Sequence, residues 1–287
     1  MNGTAICTMR FRHIEQKKKN PPLIDDDFAK EARNSMYVID LSGRVAIVTG
    51  ARRGLGRQIS IALAGAGADV VANSRKFEDG GEDLRETLEA QGGGSAIVVE
   101  GSVTESDTVE RIVQKALEKF GKIDFLVNNA GIIQRNKFLD ITDGEWNSII
   151  SVNLHGVFKC CQAVAKVMVK QHHGRIINIG SIAGKRGSAF YAHYAASKGA
   201  LINLTKTMAK ELGRYGILVN AIDPGRIMTD LLMKSFHTER KRWLNETPLH
   251  RLGSPQEVAG VVLFLVSELA SYVTGETIEV NGGVLMD

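Results

Sequence analysis

Val45-Ala46-Ile47-Val48-Thr49-Gly50-Ala51-Arg52-Arg53-Gly54-Leu55-Gly56 joins a short apolar, β-branched run to a turn holding three glycines, and an amphipathic helical pattern follows it. A buried strand that feeds a glycine turn and then a helix opens a βαβ unit. Glycine there accepts a tight backbone, lets amide N–H groups approach a phosphate, and lets the helix pack close to the strand. The unpaired N–H groups and the positive end of the helix dipole favour an anion at that spot. The stretch therefore points to a dinucleotide pyrophosphate held by Gly50, Gly54, Leu55 and Gly56.

Further along, the same alternation repeats. Short β-branched runs stand at residues 45–48, 70–72, 96–99, 125–127, 175–179, 218–222 and 278–280, with longer amphipathic stretches between them. Seven such runs predict a parallel sheet covered by helices on both faces. Right-handed crossovers then make the expected fold class α/β: a doubly wound, Rossmann-type, seven-stranded parallel sheet. Nothing after residue 41 reads as a linker, so residues 39–287 are expected to form a single domain. Residues 1–38 lack a sustained apolar period and carry Pro21-Pro22, which predicts a poorly ordered extension. Met36, just before the first folded-looking segment, is a candidate alternative start.

A chain of 287 residues can bury the core of one large α/β domain. Its 44% apolar and 24% charged residues are ordinary for a globular protein. The net charge of +4 is small, and Lys17-Lys18-Lys19 is soon answered by Asp25-Asp26-Asp27, so no nucleic-acid arm is expected. Three cysteines without a Cys-x-x-Cys spacing argue for a reducing compartment and against zinc, with Cys160-Cys161 as core packing and Cys7 in the extension. His172-His173 reads as a surface turn with no further ligand at metal spacing, so no metal is expected. No secretory segment is visible, and the most apolar stretch, 258–266, is too short to span a bilayer. The expectation is a cytoplasmic protein without membrane or nucleic-acid partners.

Tyr194-Ala195-Ala196-Ser197-Lys198 places a phenol and an ammonium on one helical face. The lysine charge is expected to lower the tyrosine pKa from about 10, making it a proton-transfer group. Alone, that spacing arises by chance in many chains. Tyr191 is a nearby competitor, but four residues beyond it stands Ala195.

Set in order, Thr49 to Gly56, Asn128-Asn129-Ala130-Gly131, Asn153, Gly180-Ser181, Tyr194 to Lys198, and Asp223-Pro224-Gly225 leading to Thr229 resemble the short-chain dehydrogenase/reductase family of the classical type. The resemblance covers residues 41–287. It implies that Tyr194 is the general acid in ketone reduction and the base in the reverse reaction. Lys198 would depress the Tyr194 pKa and hold the nicotinamide ribose, Ser181 would orient the substrate oxygen, and Asn153 would hold a water linking Lys198 to solvent. Asn129, Ala130 and Gly131 would support the sheet and line the cofactor cleft. Pro224, Gly225, Ile227 and Thr229 would run along the nicotinamide, with Ser102 and Val103 on the adenine side. Ser102 stands where the family usually has an aspartate, and Asp223 where it often has an alanine; the sequence offers no account of Asp223. The family further implies a homotetramer, paired through helices over 146–169 and 191–213 and through the C-terminal segment.

The second strand addresses cofactor choice. An acidic residue at its end would bind the adenosine ribose and repel a 2′-phosphate. Here the position is Ser74, followed by Arg75, with Arg53 near the same place, so the expected cofactor is NADP(H). Two substrate readings compete. His173-Gly174-Arg175-Ile176-Ile177 and the close Gly275-Glu276-Thr277 to Val280-Asn281-Gly282-Gly283 are similar to 3-oxoacyl-[acyl-carrier-protein] reductases, with Arg214 or Lys185-Arg186 offered to an acidic carrier. Ile132-Ile133-Gln134-Arg135 resembles gluconate-type sugar-acid or polyol dehydrogenases, where Arg135 would meet a carboxylate. The first reading is favoured. Substrate choice is expected to lie in the segment after Thr229, Asp230-Leu231-Leu232-Met233-Lys234-Ser235-Phe236 and the charged run to Trp243, whose Leu and Met residues read as the core face of a short helix. A non-catalytic NADP-sensing protein is disfavoured by the presence of both Tyr194 and Lys198.

Overall fold

All five residues of β1 (Val45–Thr49) are buried, as an apolar run covered on both faces requires. The computed structural model describes residues 38–77, 81–233 and 236–286. The extension expected over residues 1–38, with Met36 and Cys7, lies outside the described residues apart from Val38. β1 is joined by β2 (Asp69–Ser74), β3 (Ala96–Glu100), β4 (Phe125–Asn128), β5 (Gly174–Ile179), β6 (Ile217–Pro224) and β7 (Thr277–Val280). The seven strands form one sheet in the order β3-β2-β1-β4-β5-β6-β7, with every pairing parallel.

The helices are α1 (Gly54–Gly65), α2 (Glu82–Glu89), α3 (Ser106–Phe120), α4 (Asp143–Ile150), α5 (Val157–Gln171), α6 (Ala183–Arg186), α7 (Ala192–Leu212), α8 (Asp230–Met233), α9 (Phe236–Glu246) and α10 (Pro255–Val266). Alternate residues of β1 go to opposite faces of the sheet. Ala46 and Val48 join Ile59 and Leu63 of α1 and Val258, Val262 and Leu265 of α10 in one core. Val45 and Ile47 join Ile112 of α3, Val164 and Met168 of α5, and Leu201 of α7 in the other. Each fully buried Val, Leu or Ile contributes about 1.5–3 kcal/mol. α10 starts on a capping box between Ser254 and Glu257 with Pro255 in its first turn, and α4 starts on another between Thr142 and Glu145.

The helix expected over 146–169 is interrupted. Between α4 and α5 the chain makes a π turn, Ser151–Gly156. The extra residue per turn rotates Asn153 inward, where it is fully buried. The helix expected over 191–213 is α7, within one residue at each end. Cys160 and Cys161 are both buried in the apolar core. Of the histidine pair, His172 caps α5 at φ 52°, while His173 is half-buried with its Nε2 3.3 Å from Arg44 and 3.8 Å from Asp124.

Strand order reverses beside β1, with β2 on one side and β4 on the other. The connections leaving β1 and β4 therefore diverge and open a crevice at the C-terminal edge of the sheet.

Candidate active site

Thr49 fastens the floor of this crevice. Its hydroxyl accepts from the backbone N–H groups of Asn129 (3.1 Å) and Ala130 (3.0 Å). Asn129 returns two bonds through Nδ2, to the carbonyls of Thr49 (3.0 Å) and Gly50 (3.1 Å). Gly56 lies so close beneath this clasp that a Cβ would overlap the Gly50 carbonyl and the Asn129 amide. α1 then begins with no side-chain cap at Arg53 and no acidic residue in its first turn, leaving its N–H groups free for an anion.

The crevice runs from that helix end in two directions. Along β2 and β3 it is lined by Asn73, Ser74, Arg75, Gly101, Ser102 and Val103. Asn73 Nδ2 bonds the carbonyls of Val99 (2.9 Å) and Gly101 (3.1 Å), which closes the wall between the two strands. The Ser102 hydroxyl lies 2.8 Å from Thr104 Oγ1 and accepts from the Thr104 N–H at 3.3 Å. Neither Ser74 nor its neighbours in the lining is acidic, while Arg52, Arg53 and Arg75 all line this end. A dinucleotide carrying a 2′-phosphate fits this donor set: uncapped N–H groups for the pyrophosphate and guanidinium groups at the ribose.

In the other direction lie Ser181, Tyr194 and Lys198. Ser181 follows β5 after Gly180. Tyr194 and Lys198 occupy the first two turns of α7, so the helix N-terminus presents the phenol and the four-residue spacing sets the ammonium behind it. The Ser181 hydroxyl accepts from the Ala183 N–H at 3.2 Å and lies where it favours the ionised form of the Tyr194 phenol. Lys198 donates to the Ile179 carbonyl at 2.7 Å, and its Nζ stands 5.8 Å from the Tyr194 ring centre.

The electrostatics differ from the sequence expectation. Burial raises the Tyr194 pKa above its usual value of 10.0, the Ser181 hydroxyl opposes that, and the Asp223 carboxylate reinforces it. Burial also brings Lys198 down to about 8, with Asp223 opposing. Lys198 reaches past the ring to a backbone carbonyl, so the loss of water around the phenol outweighs its charge. The tyrosine is held as a protonated donor.

Gly50, Arg53, Gly54, Leu55, Ser74, Arg75, Ser102, Val103, Asn129, Ala130, Gly131, Ser181, Tyr194, Lys198, Pro224 and Thr229 thus meet in one cleft. Four singled-out residues do not line it. Gly56 and Gly225 are backbone approach points; a Cβ on Gly225 would sit 2.7 Å from Asn281 Cα. Ile227 is buried in the apolar core. Asn153 lies behind the cleft: Oδ1 accepts from Ile132 N (2.8 Å), and Nδ2 donates to Ile132 O (2.9 Å) and Ser197 Oγ (3.2 Å). Both amide hydrogens are therefore spent on holding the segment after Gly131 and the start of α7. The sequence reading did not assign Arg52, Asn73, Gly101, Val152 and Ile179 to the lining. Asn73 carried a usable signal, a polar residue at the C-terminal end of an otherwise apolar strand.

The charged candidates around the site separate. Arg214 stands just before β6, on the opposite edge of the sheet from the cleft. Lys185 is 2.7 Å from Glu279, and Arg186 is exposed. Arg135 is exposed and lies over the Phe190 ring at 4.2 Å. In the segment after Thr229, Lys234 and Ser235 lie outside the described residues. Trp243 of α9 is buried, beneath Arg226 at 5.7 Å, and Arg242 pairs with Glu239 at 2.6 Å. The charged run is thus a solvated helix face with an aromatic anchor.

Known proteins resemble this chain in sequence and fold. A family model described as "Enoyl-(Acyl carrier protein) reductase" matches residues 50–285. The 3-oxoacyl-[acyl-carrier-protein] reductase FabG of Escherichia coli is 42% identical over 248 residues, covering 86% of this chain and all of the relative. The 3-oxoacyl-[acyl-carrier-protein] reductase of a Synechocystis strain is 42% identical over 247 residues, 86% of this chain and 98% of its own length. Among solved structures, a short-chain type dehydrogenase/reductase from Mycobacterium marinum superposes with a TM-score of 0.81 at 36% identity, covering 87% of this chain and 98% of that one. A short-chain dehydrogenase/reductase from Brucella melitensis, titled glucose/ribitol dehydrogenase, gives 0.79 at 35% identity, over 86% and 99%. No helix among the described residues is long and apolar enough to cross a membrane. The chain belongs to the classical short-chain dehydrogenase/reductase family, NAD(P)-dependent oxidoreductases acting on CH–OH groups, and within it stands close to the 3-oxoacyl-[acyl-carrier-protein] reductases.

Proposed function

We propose that this protein reduces a ketone to a secondary alcohol with NADPH, taking a 3-oxoacyl group carried by acyl carrier protein. The observation that carries the reading is the convergence of Ser181, Tyr194 and Lys198 at one end of a cleft whose other end is lined by three arginines and no carboxylate. NADPH supplies the hydride when bound. Ser181 holds the carbonyl oxygen, and Tyr194 gives that oxygen its proton as the C–H bond forms. A phenol whose pKa is raised by burial is protonated at neutral pH and suits the direction of reduction. Lys198, fixed on the Ile179 carbonyl, positions the nicotinamide ribose and returns a proton toward Tyr194. Asn153 supports that route by bracing Ile132 and Ser197 through its side-chain amide.

The relatives named for carrier-bound substrates support the acyl reading, and exposed Arg186 supports docking of an acidic carrier. Two buried, uncrosslinked cysteines, with the Cys160 thiol pushed up to about 12 by burial, accord with work in the cytoplasm. Assembly as a homotetramer is part of the same reading, with apolar side chains exposed on α4, on α5 and near the C-terminus as its contacts.

A second reading, sugar-acid or polyol oxidation, is favoured by Arg135. Its guanidinium is exposed and, among the described residues, stacks on Phe190 without a carboxylate partner. One experiment separates the two. NADPH oxidation is followed with an acetoacetyl thioester, free and carrier-bound, beside simple diketones, and NADP+ reduction is followed with sugar acids and polyols. The highest kcat/KM on the carrier-bound thioester supports the proposal; faster turnover of a sugar acid transfers the assignment to the second reading.

A further inference from the structure

β6 is apolar or small along most of its length, yet near its C-terminal end it carries Asp223, whose exposure is zero. A carboxylate removed from water is strongly disfavoured unless partnered. Asp223 has one hydrogen-bond partner: Oδ1 accepts from the backbone N–H of Ser181 at 2.9 Å. Its second oxygen, Oδ2, is buried with none. Gly180 makes room for this contact, because a Cβ there would overlap Asp223 Oδ1.

The short segment Ile179-Gly180-Ser181 is held at its other end by Lys198, which donates to the Ile179 carbonyl at 2.7 Å. A carboxylate at one end and an ammonium at the other thus fix the segment that presents the Ser181 hydroxyl to Tyr194. We propose that Asp223 is a positioning residue for ketone reduction, clamping the Ser181 peptide from beneath and setting the charge balance behind Tyr194 and Lys198. The proposal rests on the reductase reading above and deepens it.

Four groups face Asp223: Tyr194 and Lys198 from α7, Lys185 from α6, and Glu279 from β7. Glu279 is its register neighbour on the adjacent strand and pairs with Lys185 at 2.7 Å. Burial, reinforced by Glu279, raises Asp223 to about 7 against the lowering pull of the Ser181 N–H and the two lysines. The anionic form raises the pKa of both Lys198 and Tyr194, and the neutral form releases both downward. Reduction needs the phenol protonated and the ammonium charged, so loss of the Asp223 charge moves the alkaline limb of kcat/KM to lower pH.

The test compares Asp223→Asn, which keeps the acceptor for Ser181 N–H but not the charge, with Asp223→Ala, which removes both. In NADPH-linked reduction of an acetoacetyl thioester, the Asn variant should shift the alkaline limb down by about one pH unit. The Ala variant should add a loss of about tenfold in kcat with NADPH binding unchanged. Where the Ala variant fails to fold, the Asn variant alone decides. A pH profile for Asp223→Asn that superimposes on the parent overturns the proposal. Infrared difference spectra of the ligand-free protein between mildly acidic and mildly alkaline pH give a second readout. A protonated-carboxyl band present in the parent and missing from Asp223→Asn supports it, and its absence from the parent overturns it. If the parent oxidises no NADPH with the thioester, the reductase reading fails, while the infrared measurement still reports on Asp223.

Discussion

At Tyr194, burial and chemistry act in the same direction. The phenol loses water at the inner end of the cleft, its pKa rises, and Ser181 lines the same end of the cleft. Tyr194→Phe removes that proton donor and leaves the ring. Turnover with NADPH should fall by about 10²–10⁴-fold while NADPH affinity, followed by nicotinamide fluorescence, stays close to the parent value; activity within tenfold of the parent would contradict the role. The four-residue spacing to Lys198 was legible in the sequence, because helical geometry fixes it. The sign of the Tyr194 shift was not, because it depends on where Nζ finds an acceptor and on how much water surrounds the ring. Asp223 was visible as an unusual residue and became interpretable only once β5 and β6 lay side by side. Its folded pKa of about 7 lies above the ordinary 3.8, so the native state binds the extra proton between those values. Stability from this group is present in full below about pH 4 and is lost as pH rises to about 7. Asp223→Asn does not titrate. Relative to the parent, its free energy of unfolding in urea should therefore gain on the order of 2 kcal/mol between about pH 5 and about pH 8. An equal difference between the two proteins at both pH values would show that no such proton is held.

Strands were easier to read than the turns between helices. A strand buried on both faces is a short apolar run, and each of the seven runs became a strand of the sheet. The π turn at Ser151–Gly156 left no comparable mark, since the apolar spacing continues across it and the extra residue shows only in which side chain points inward. Glycines were legible as points of close approach, yet not as to what approaches: Gly56 backs onto the phosphate loop, whereas Gly225 backs onto Asn281. At the scale of elements, the proposed NADP(H) preference rests on the end of β2. Ser74 and exposed Arg75 line the cleft with Arg53, and among the described residues no carboxylate pairs with either guanidinium. Charge-assisted contacts of about 1.5–3 kcal/mol, discounted for exposure, predict roughly a hundredfold preference for NADPH over NADH. Ser74→Asp combined with Arg75→Ser should bring the ratio of kcat/KM values for the two cofactors near unity. Equal efficiencies in the parent protein would remove the basis for the NADP(H) assignment.

For the molecule as a whole, the periodicity of buried runs specified the fold, and the proposed assembly rests on apolar side chains left exposed outside the sheet. A monomer has no use for Trp146 at 40% exposure on α4, Phe158 at 43% on α5, or Tyr272 fully exposed beside Leu269 before β7. These side chains fall in two stretches, one along the helix that runs from α4 through the π turn into α5 and one just before β7. Two distinct self-complementary contacts on one chain generate a closed tetramer with three perpendicular two-fold axes. Light scattering on the purified protein should therefore report four copies of the 31.2 kDa chain. Introducing charge into one region at a time should cut the assembly along one set of axes and leave the other. Trp146→Glu with Phe158→Glu should give dimers held at the C-terminal contact, and Tyr272→Glu with Leu269→Glu should give dimers held through the helices. The π turn that carries Asn153 lies between α4 and α5, so the first pair of substitutions should also lower kcat, whereas the second should leave it near the parent value. A parent protein that remains monomeric at micromolar concentration would break the link between these exposed residues and assembly.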